Sequence, residues 1–434
     1  MNKPVNVLER VLTKAQEDSE FRKSLIASPN TTIKESFGIT LDSDHEIVVH
    51  ESTAAKTHLV LPPKSKFTAA EREAARVGAT SLEFLKKTMY DPAPPMRPLK
   101  SASVSTLSTF SDTESLATAV RKSIVRGLGY IKSRIADNGA WHCIRFNLGN
   151  PDIPRHFERP PFVTALCTLA LQSSKEPQAR AICAKSRSYL VDSMEFPGLW
   201  RYYRHLPQDL DSSTLCSLVV DTHPWIGLGR NIPRLLANRD EDGRFMTWIL
   251  EEDEPSVVAT FRIEADPVVN ANVISYIGDH PSTKQAQKWL EELIIQGDKI
   301  EGSSKWYHDP ISLYYAISRA MTRVPLQISQ KSSVLAERIL GLRNEGGDFR
   351  DVLQAAQAVS ALYNVRQLDQ LDVRKQIDQI LSFQQEDGSW PELLAFGDQS
   401  LKFGVVGRIG HGSDLITSAF CIEALERLID TLKF

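Results

Sequence analysis

From residue 119 to the C-terminus, apolar positions recur in pairs of helical segments. In each pair an amphipathic segment comes first and a more apolar one follows, with a loop that contains Gly or Asp and an aromatic residue between them. One apolar segment is FVTALCTLAL, which follows the loop of Trp141, and another starts at DLDSST, which follows the loop of Trp200. Six such pairs can be counted, and a repeat of this kind predicts one helical hairpin per copy.

Twelve helices that alternate in this way predict two concentric rings, an (α/α)6 barrel with the apolar helices on the inside. An open solenoid is the alternative, but the second helix of each pair is apolar on too many sides to face solvent. We therefore expect an all-α fold over residues 119–434.

The N-terminal region has a different pattern. Residues 4–28 show helical periodicity, Ser28-Pro29-Asn30 ends it, and a short amphipathic stretch follows at residues 33–37. Two extended segments come next, at residues 46–49 and 58–61, so residues 1–63 predict a small α+β unit. Residues 64–118 are rich in Pro, Ser and Thr and predict a largely disordered linker. We expect residues 1–63 to be dispensable for folding of the barrel.

The blocks KAQEDSEFRKSLIASP, FGITLD, HEIVVHEST and HLVLPP resemble the nitrile-hydratase-like leader peptide (NHLP) family. Its members precede ribosomally made and modified peptides (RiPPs). The resemblance implies that residues 1–63 are a recognition site for RiPP-type biosynthetic enzymes and have no activity of their own. The chain departs from the family because a large folded domain replaces the short core peptide, and the cysteine cluster of nitrile hydratase is absent.

Two motifs of the repeat region resemble the terpene cyclase and prenyltransferase superfamily. LSFQQEDGSW is similar to the Gln-Trp motif of squalene–hopene cyclases, and DLDSST to the Asp-x-Asp-Asp-Thr acid motif of class II terpene cyclases, which protonate an alkene or epoxide. The resemblance implies that Asp211 is the proton donor and Asp209 its supporting acid. Ser212 replaces the third aspartate, as a hydroxyl residue does in single-domain drimenyl diphosphate synthases. The Asp-x-Cys zinc ligands of protein prenyltransferases are absent, so we expect no metal site.

The residues around DLDSST allow two interpretations. Burial and mutual repulsion raise the pKa of a carboxyl, so one member of the pair could stay protonated near neutral pH, and nearby rings could stabilise a carbocation. Alternatively, Asp209 and Asp211 only cap a helix.

Further polar and aromatic residues are predicted to lie around the same barrel mouth. Asp266, Asn270 and Asn272 share one inner helix, and helix capping is the alternative for Asp309. The irregular stretch 145–162 is expected to cover the mouth. The residues that we predict to bind substrate are Trp200, Tyr203, Asn270, Trp306, Tyr307, His308, Asp309 and Tyr314.

Charge and composition exclude several classes of function. The chain has 51 Lys and Arg residues against 54 Asp and Glu, so no excess of positive charge indicates nucleic-acid binding. No apolar run is long enough to cross a bilayer and the N-terminus lacks a secretory signal pattern, which predicts a cytoplasmic protein without a transmembrane segment. The five cysteines are scattered, and no CxxC or HxxxH spacing indicates a metal site.

The sequence therefore predicts a class II-like terpene cyclase that protonates a linear isoprenoid and needs no cofactor. We consider Mg²⁺ as a cofactor only if the substrate is a diphosphate. Two alternatives stay open. The barrel could bind a lipid or prenylated ligand without turnover, or it could serve a RiPP pathway, where a peptide or a partner enzyme is its ligand.

Overall fold

The structure is a computed structural model. It describes residues 7–53, 55–56, 58–61, 63, 113–148, 152, 154–204, 206–250, 263–297, 300, 302–323, 331–397 and 409–432. Residues 64–112 of the predicted linker lie outside the described residues. The first helix of the repeat region begins at Thr113, six positions before the predicted boundary at residue 119.

The described residues form sixteen α-helices and six short strands. The N-terminal group is α1 (Val7–Glu17), α2 (Ser19–Ala27) and α3 (Pro29–Phe37). The remaining α-helices, in chain order, are α4 (Thr113–Arg134), α5 (Pro161–Leu171), α6 (Pro177–Ser193), α7 (Leu210–Val219), α8 (Pro224–Gly227), α9 (Ile232–Ala237), α10 (Pro267–Ile277), α11 (Lys284–Gln296), α12 (Pro310–Arg323), α13 (Ser332–Leu340), α14 (Val352–Asn364), α15 (Val373–Ser382) and α16 (Asp414–Thr431). The strands are β1 (Cys143–Asn147), β2 (His156–Glu158), β3 (Gln208–Asp209), β4 (Trp248–Ile249), β5 (Leu393–Phe396) and β6 (Ile409–Ser413).

The inner ring consists of α5, α7, α10, α12, α14 and α16. Each of these helices contacts the next, and α16 contacts α5, so the ring closes. The outer helices are α4, α6, α9, α11, α13 and α15. The predicted (α/α)6 barrel is thereby confirmed, because the inner helices are buried almost all round while the outer ones bury a single face. None of the described helices is both long and apolar enough to cross a bilayer.

One hydrogen bond recurs where a loop aromatic precedes an inner helix. The backbone N–H of the aromatic donates to a polar side chain near the start of that helix. The pairs are Trp141 with Thr164 Oγ1, Trp200 with Ser213 Oγ, Phe245 with Asn270 Oδ1, and Trp390 with Ser418 Oγ, at 3.0, 3.0, 2.8 and 3.0 Å. A buried backbone N–H needs such a partner, so this bond fixes the loop against its helix.

A four-stranded antiparallel sheet joins the first and last repeats. Its order is β2-β1-β6-β5, and Arg145 of β1 pairs with His411 of β6. The sheet leads directly into α5 and α16, so it lies at the end of the barrel where the inner helices begin. Gly412 permits the close approach of β5, because a Cβ there would lie 1.9 Å from the Leu393 carbonyl oxygen. The stretch 145–162, predicted to be irregular, contains β2 and the last three residues of β1.

The N-terminal helices share a small core that contains Phe21, Leu25 and Ile33. Gly38 ends α3 with a φ of 68°. The predicted extended segments at residues 46–49 and 58–61 are not paired as strands, and in the described part of this region only an isolated bridge joins Thr53 and Lys56. An isolated pair of strands is only marginally stable, and these two segments have no further strand to pair with in the described part of this region, which explains why the predicted strands do not form.

This N-terminal unit packs against the barrel. The Leu8 N–H donates to the Leu228 carbonyl at 3.2 Å, and Leu228 belongs to the N-terminal core. The Asp42 carboxylate accepts hydrogen bonds from Arg187 on α6, at 2.8 Å, and from Thr222. Burial alone would raise the pKa of Asp42, but these bonds hold it below its ordinary value. From these contacts we expect residues 1–63 to stabilise the barrel, while their dispensability for its folding stays a prediction.

Candidate active site

Asp209 caps helix α7. Its backbone is extended, Oδ1 accepts the Ser212 N–H at 2.6 Å, and Oδ2 accepts the Tyr202 N–H at 2.9 Å. Burial, with repulsion from Asp211 in addition, raises the pKa of Asp209 to about 7, although the bonds from Ser212 and Tyr202 oppose this shift. The capping interpretation therefore describes Asp209 well.

Asp211 uses its carboxylate differently. Oδ1 accepts a hydrogen bond from Asn272 Nδ2 of α10 at 2.6 Å, and Oδ2 is 2.6 Å from the hydroxyl of Tyr307, just before α12. The side chain is almost fully buried. Burial raises the pKa of Asp211, while the bonds from Tyr307 and Asn272 and the charge of Arg319 act in the opposite direction. Asp211 thus faces other inner helices and not only its own backbone.

Arg319 of α12 determines how Asn272 is oriented. Its guanidinium donates to Asn272 Oδ1, and because a guanidinium can only donate, the amide oxygen must face Arg319. The amide NH₂ group then donates to Asp211 Oδ1. The Tyr307 hydroxyl donates to Oδ2, but unlike the amide NH₂ group it can also accept, so Oδ2 is the oxygen that can carry a proton without facing a group that only donates.

An aromatic cluster lies next to this acid. It consists of Phe162, Tyr202, Tyr307, Phe396 and His411. The Phe396 ring stacks on His411 at 5.1 Å between centroids, meets Phe162 edge-on at 5.1 Å, and lies 6.2 Å from Tyr307. The residues come from the sheet, from α5 and from the segments before α7 and α12, so only the closed barrel brings them together.

A second carboxylate, Glu158 of β2, is buried on the sheet side of the aromatic cluster. Its Oε2 is 3.2 Å from His411 Nε2 and 3.4 Å from the Tyr202 hydroxyl. Burial alone would raise the pKa of Glu158, but His411 and Arg145 hold it below its ordinary value. The pKa of Glu158 is thus lowered and that of Asp211 is raised, although both carboxyls are buried.

Two of the predicted substrate-binding residues lie in this region. Tyr307 contacts Asp211 directly, and Tyr203 meets Tyr202 edge-on at 4.5 Å. Burial and the adjacent Glu158 carboxylate raise the pKa of Tyr203.

Trp200 and Asn270 are used by the fold itself. The Trp200 indole N–H donates to the Leu190 carbonyl of outer helix α6 at 2.9 Å, and the residue is fully buried. Asn270 accepts from the Phe245 N–H and donates to the carbonyls of Phe245 and Asp266, at 2.8, 2.9 and 2.9 Å. Its polar atoms are occupied by backbone groups, which leaves no free group for a substrate.

The other four predicted residues have polar or charged neighbours other than the Asp211 carboxylate. The Trp306 indole N–H donates to Glu264 at 2.7 Å, and His308 Nε2 is 3.1 Å from the Gly397 carbonyl oxygen. Asp309 accepts the Ile311 N–H at 3.0 Å and pairs with Arg350 at 2.8 Å.

Tyr314 is also buried. Burial raises the pKa of Tyr314 to about 12, and its charged neighbours are Arg338 and Asp309. The next residue, Tyr315, instead reaches Glu423 of inner helix α16, at 2.9 Å.

Sequence reasoning gave no role to Arg319, Glu158 or Phe396 and did not choose Asn272 as a site residue. The signal for Asn272 was present, since an amide within an apolar inner helix requires a partner. Glu158 and His411 are 253 positions apart, and only the sheet pairing brings them together. Within the described ranges, no group of three or more His, Cys, Asp and Glu side chains could hold a metal ion.

Comparison with known proteins supports the fold. No model of a known protein family matches the chain. The chain is similar to drimenol cyclase drtB of Aspergillus calidoustus, with 24% identity over 227 residues that cover 50% of this chain and 38% of that protein. It therefore matches well under half of that relative's length.

Solved structures resemble this chain over most of its length. An aspartate-to-asparagine variant of type II terpene cyclase MstE from Scytonema, in complex with geranylgeranyl dihydroxybenzoate, has a TM-score of 0.56 and 13% identity and covers 73% of this chain and 99% of its own. A protein from Actinoplanes has a TM-score of 0.55 and 16% identity and covers 71% and 99%. The chain thus has the α/α toroid fold seen in type II terpene cyclases.

Proposed function

We propose that this protein is a class II-like terpene cyclase in which Asp211 starts the cyclisation of a linear isoprenoid by protonating an alkene or epoxide. The observation that carries the proposal is the buried Asp211 carboxyl, with Oδ1 held by Asn272 and Oδ2 beside Tyr307 and the aromatic cluster. The likeness to a drimenol cyclase and to MstE, which was solved with a geranylgeranyl compound, supports the same class of substrate.

The contacts of Asp211 balance two needs of such an acid. Burial raises the pKa of Asp211 and so keeps the proton in place near neutral pH, whereas the bonds from Tyr307 and Asn272 stabilise the carboxylate that remains after transfer. In the step itself the alkene π electrons form a new C–H bond with the proton on Oδ2. The electrons of the O–H bond stay on Asp211, and the positive charge passes to the substrate carbon. An epoxide oxygen would take the same proton and open to a cation.

The aromatic cluster is placed to stabilise that cation. Ring faces attract positive charge, and the effect is stronger where water is excluded. Attack by a second alkene of the substrate on the cation closes a ring and moves the charge along the chain. The ionised Glu158, beside His411 and Tyr202, is our choice for the base that takes the last proton and leaves an alkene. None of these steps requires a cofactor.

The direct test is Asp211→Asn, which keeps the shape of the side chain and removes the acid. We expect it to abolish turnover of farnesyl and geranylgeranyl substrates, measured by mass spectrometry of products, and to leave the circular dichroism spectrum unchanged. Asp309→Asn is the matched control, because Asp309 also starts an inner helix but its carboxylate accepts the Ile311 N–H and pairs with Arg350. Full activity in Asp211→Asn, or no product from any polyprenyl substrate with the wild-type protein, would refute the proposal.

A second candidate is the role in a RiPP pathway, in which residues 1–63 are recognised by a modifying enzyme and the barrel binds a lipid, peptide or partner without turnover. Its support is that the N-terminal helices have their own core and still expose Leu12 and Ile26. Saturable binding of a polyprenyl ligand by wild-type protein that forms no product would favour this candidate over the cyclase.

A further inference from the structure

A second polar site lies inside the barrel, towards the end where the inner helices finish. It is a cavity of about 240 Å³ between the last turns of α12 and α14 and the middle of α16. Three arginines line it, Arg319 and Arg323 of α12 and Arg427 of α16, together with the carboxylate of Glu423. We call it the arginine cavity.

The arginine cavity has unused hydrogen-bond donors. Arg319 is only 8% exposed, yet neither its Nε nor its Nη1 has a partner among the described residues, and Arg427 Nε has none there either. A buried donor without an acceptor costs free energy, so native sites of this kind normally hold water or a ligand. These donors therefore point to an acceptor within the cavity.

Glu423 does not supply that acceptor. It accepts the Tyr315 hydroxyl at 2.9 Å, and its other oxygen is 3.8 Å from Arg427. Burial raises the pKa of Glu423, against the opposing effects of Arg427 and the Tyr315 hydroxyl. The lining of the cavity holds three guanidinium groups against this one carboxyl, whereas Asp211, Asp221 and Glu426 interact with the arginines from outside the lining. A multiply charged oxyanion suits this arrangement, because guanidinium forks match the geometry of phosphate oxygens.

We propose that the arginine cavity binds a phosphate or diphosphate group. The group could be the head of a polyprenyl diphosphate or a free anion, and both present the same oxygens to the arginines. The volume leaves ample room for a phosphate with bound water.

The cavity is coupled to the acid site through Arg319, which also donates to Asn272 and thereby orients the amide that holds Asp211. An anion on the free side of Arg319 would offset its charge. That charge lowers the pKa of Asp211, so a bound anion raises this pKa and increases the protonated fraction near neutral pH. The coupling rests on the proposed function, whereas anion binding does not.

The test is calorimetric titration of the full-length protein with inorganic pyrophosphate, in EDTA to exclude bridging metal ions. We expect one saturable site whose affinity falls at least 10-fold in Arg427→Gln and in Arg323→Gln. Arg121→Gln on the exposed face of α4 is the control and should bind as the wild type does. Absence of saturable binding in the wild type, or equal affinity in all three variants, would overturn the proposal. Thermal unfolding of each variant establishes that it is folded.

The same variants identify the source of the anion. If the head of the substrate occupies the cavity, farnesyl diphosphate binds more tightly than farnesol, and Arg427→Gln removes the difference. If a free anion is the ligand, the Arg427→Gln variant no longer binds pyrophosphate but binds farnesyl diphosphate with the affinity of the wild type. Both results support the anion site. Because neither measurement requires turnover, a wild-type protein that binds pyrophosphate but forms no product refutes the cyclase and leaves the anion site in place.

Discussion

Asp209 and Asp211 are two positions apart and have different partners. Backbone N–H groups hold both oxygens of Asp209, whereas side chains of two other repeats hold those of Asp211. The difference arises because Asp209 precedes the helix and Asp211 lies within its first turn, where the side chain points into the barrel. A supporting role for Asp209 would act through the position of α7 and through its charge.

Substitution of Asp209 by Asn should show a pH-dependent effect on stability. Asn keeps an oxygen that can cap the helix through the Ser212 N–H, but its NH₂ group cannot accept the Tyr202 N–H, so part of the effect is a loss of stability that does not depend on pH. The folded-state pKa of Asp209 is raised to about 7, above the unfolded value of about 3.9, so the folded state binds more protons and stability falls as pH rises through this window. Relative to wild type, Asp209→Asn should therefore gain stability between pH 4 and pH 7 in urea unfolding. If the difference in the free energy of unfolding between the variant and the wild type does not change with pH, the raised pKa of Asp209 is contradicted.

Tyr307→Phe removes the hydroxyl beside Asp211 Oδ2 and keeps the ring. A hydrogen bond to a charged group is worth about 1.5–3 kcal/mol, so the loss predicts a fall in kcat of roughly 10- to 100-fold. Because this bond lowers the pKa of Asp211, its removal raises that pKa, and the decline of kcat at alkaline pH should move to higher pH. The pH profile is the deciding measurement. Tyr314→Phe, next to the same helix start, is the control and should keep the wild-type profile.

At the scale of elements, the recurring bond between a loop aromatic and an inner helix explains why small polar residues occur in apolar helices. Ser213, Asn270 and Ser418 occupy equivalent positions and receive the backbone N–H of Trp200, Phe245 and Trp390. The aromatic side chains fill the space between the rings, so the pair sets both the loop and the spacing of the two helices.

Ser418→Ala should destabilise the last repeat. It leaves the buried Trp390 N–H without an acceptor, which costs about 1–3 kcal/mol. Urea unfolding measures this loss in the free energy of unfolding. Ser188→Ala on the exposed face of α6 is the matched control and should change stability little. Equal effects of the two substitutions would show that the repeated bond does not hold the loop.

At the scale of the whole molecule, the N-terminal unit and the barrel share an interface. It includes the Leu8–Leu228 backbone bond, the contact of Leu41 with Gly227 and the pair of Asp42 with Arg187. Any enzyme that recognised residues 1–63 would meet a surface already partly covered by the barrel.

Removal of residues 1–63 should lower the Tm of the barrel without preventing its folding, because the barrel keeps its closed inner ring but loses the cover of Leu228. In the full-length chain, Asp42→Ala tests the polar part of the interface alone. The pKa of Asp42 is lowered, so the stability that Asp42 contributes is present above the unfolded pKa of about 3.9 and is lost as pH falls through the folded value. Asp44→Ala, at an exposed position, is the control. An unchanged Tm in the truncated chain would restore the view that the N-terminal unit is independent.

Helical periodicity and the sixfold repeat were enough to predict the barrel, since apolar second helices have no stable alternative to burial. The position of Asp211 at the start of an inner helix also follows from local sequence. The partners of Asp211 do not, because Asn272, Tyr307 and Arg319 come from two other repeats, and only ring closure brings them together. The sheet could not be predicted either, since its strands are short and its central pair, β1 and β6, joins residues more than 250 positions apart. Local patterns decide which elements form, whereas contacts between distant repeats decide which oxygen of Asp211 can carry the proton.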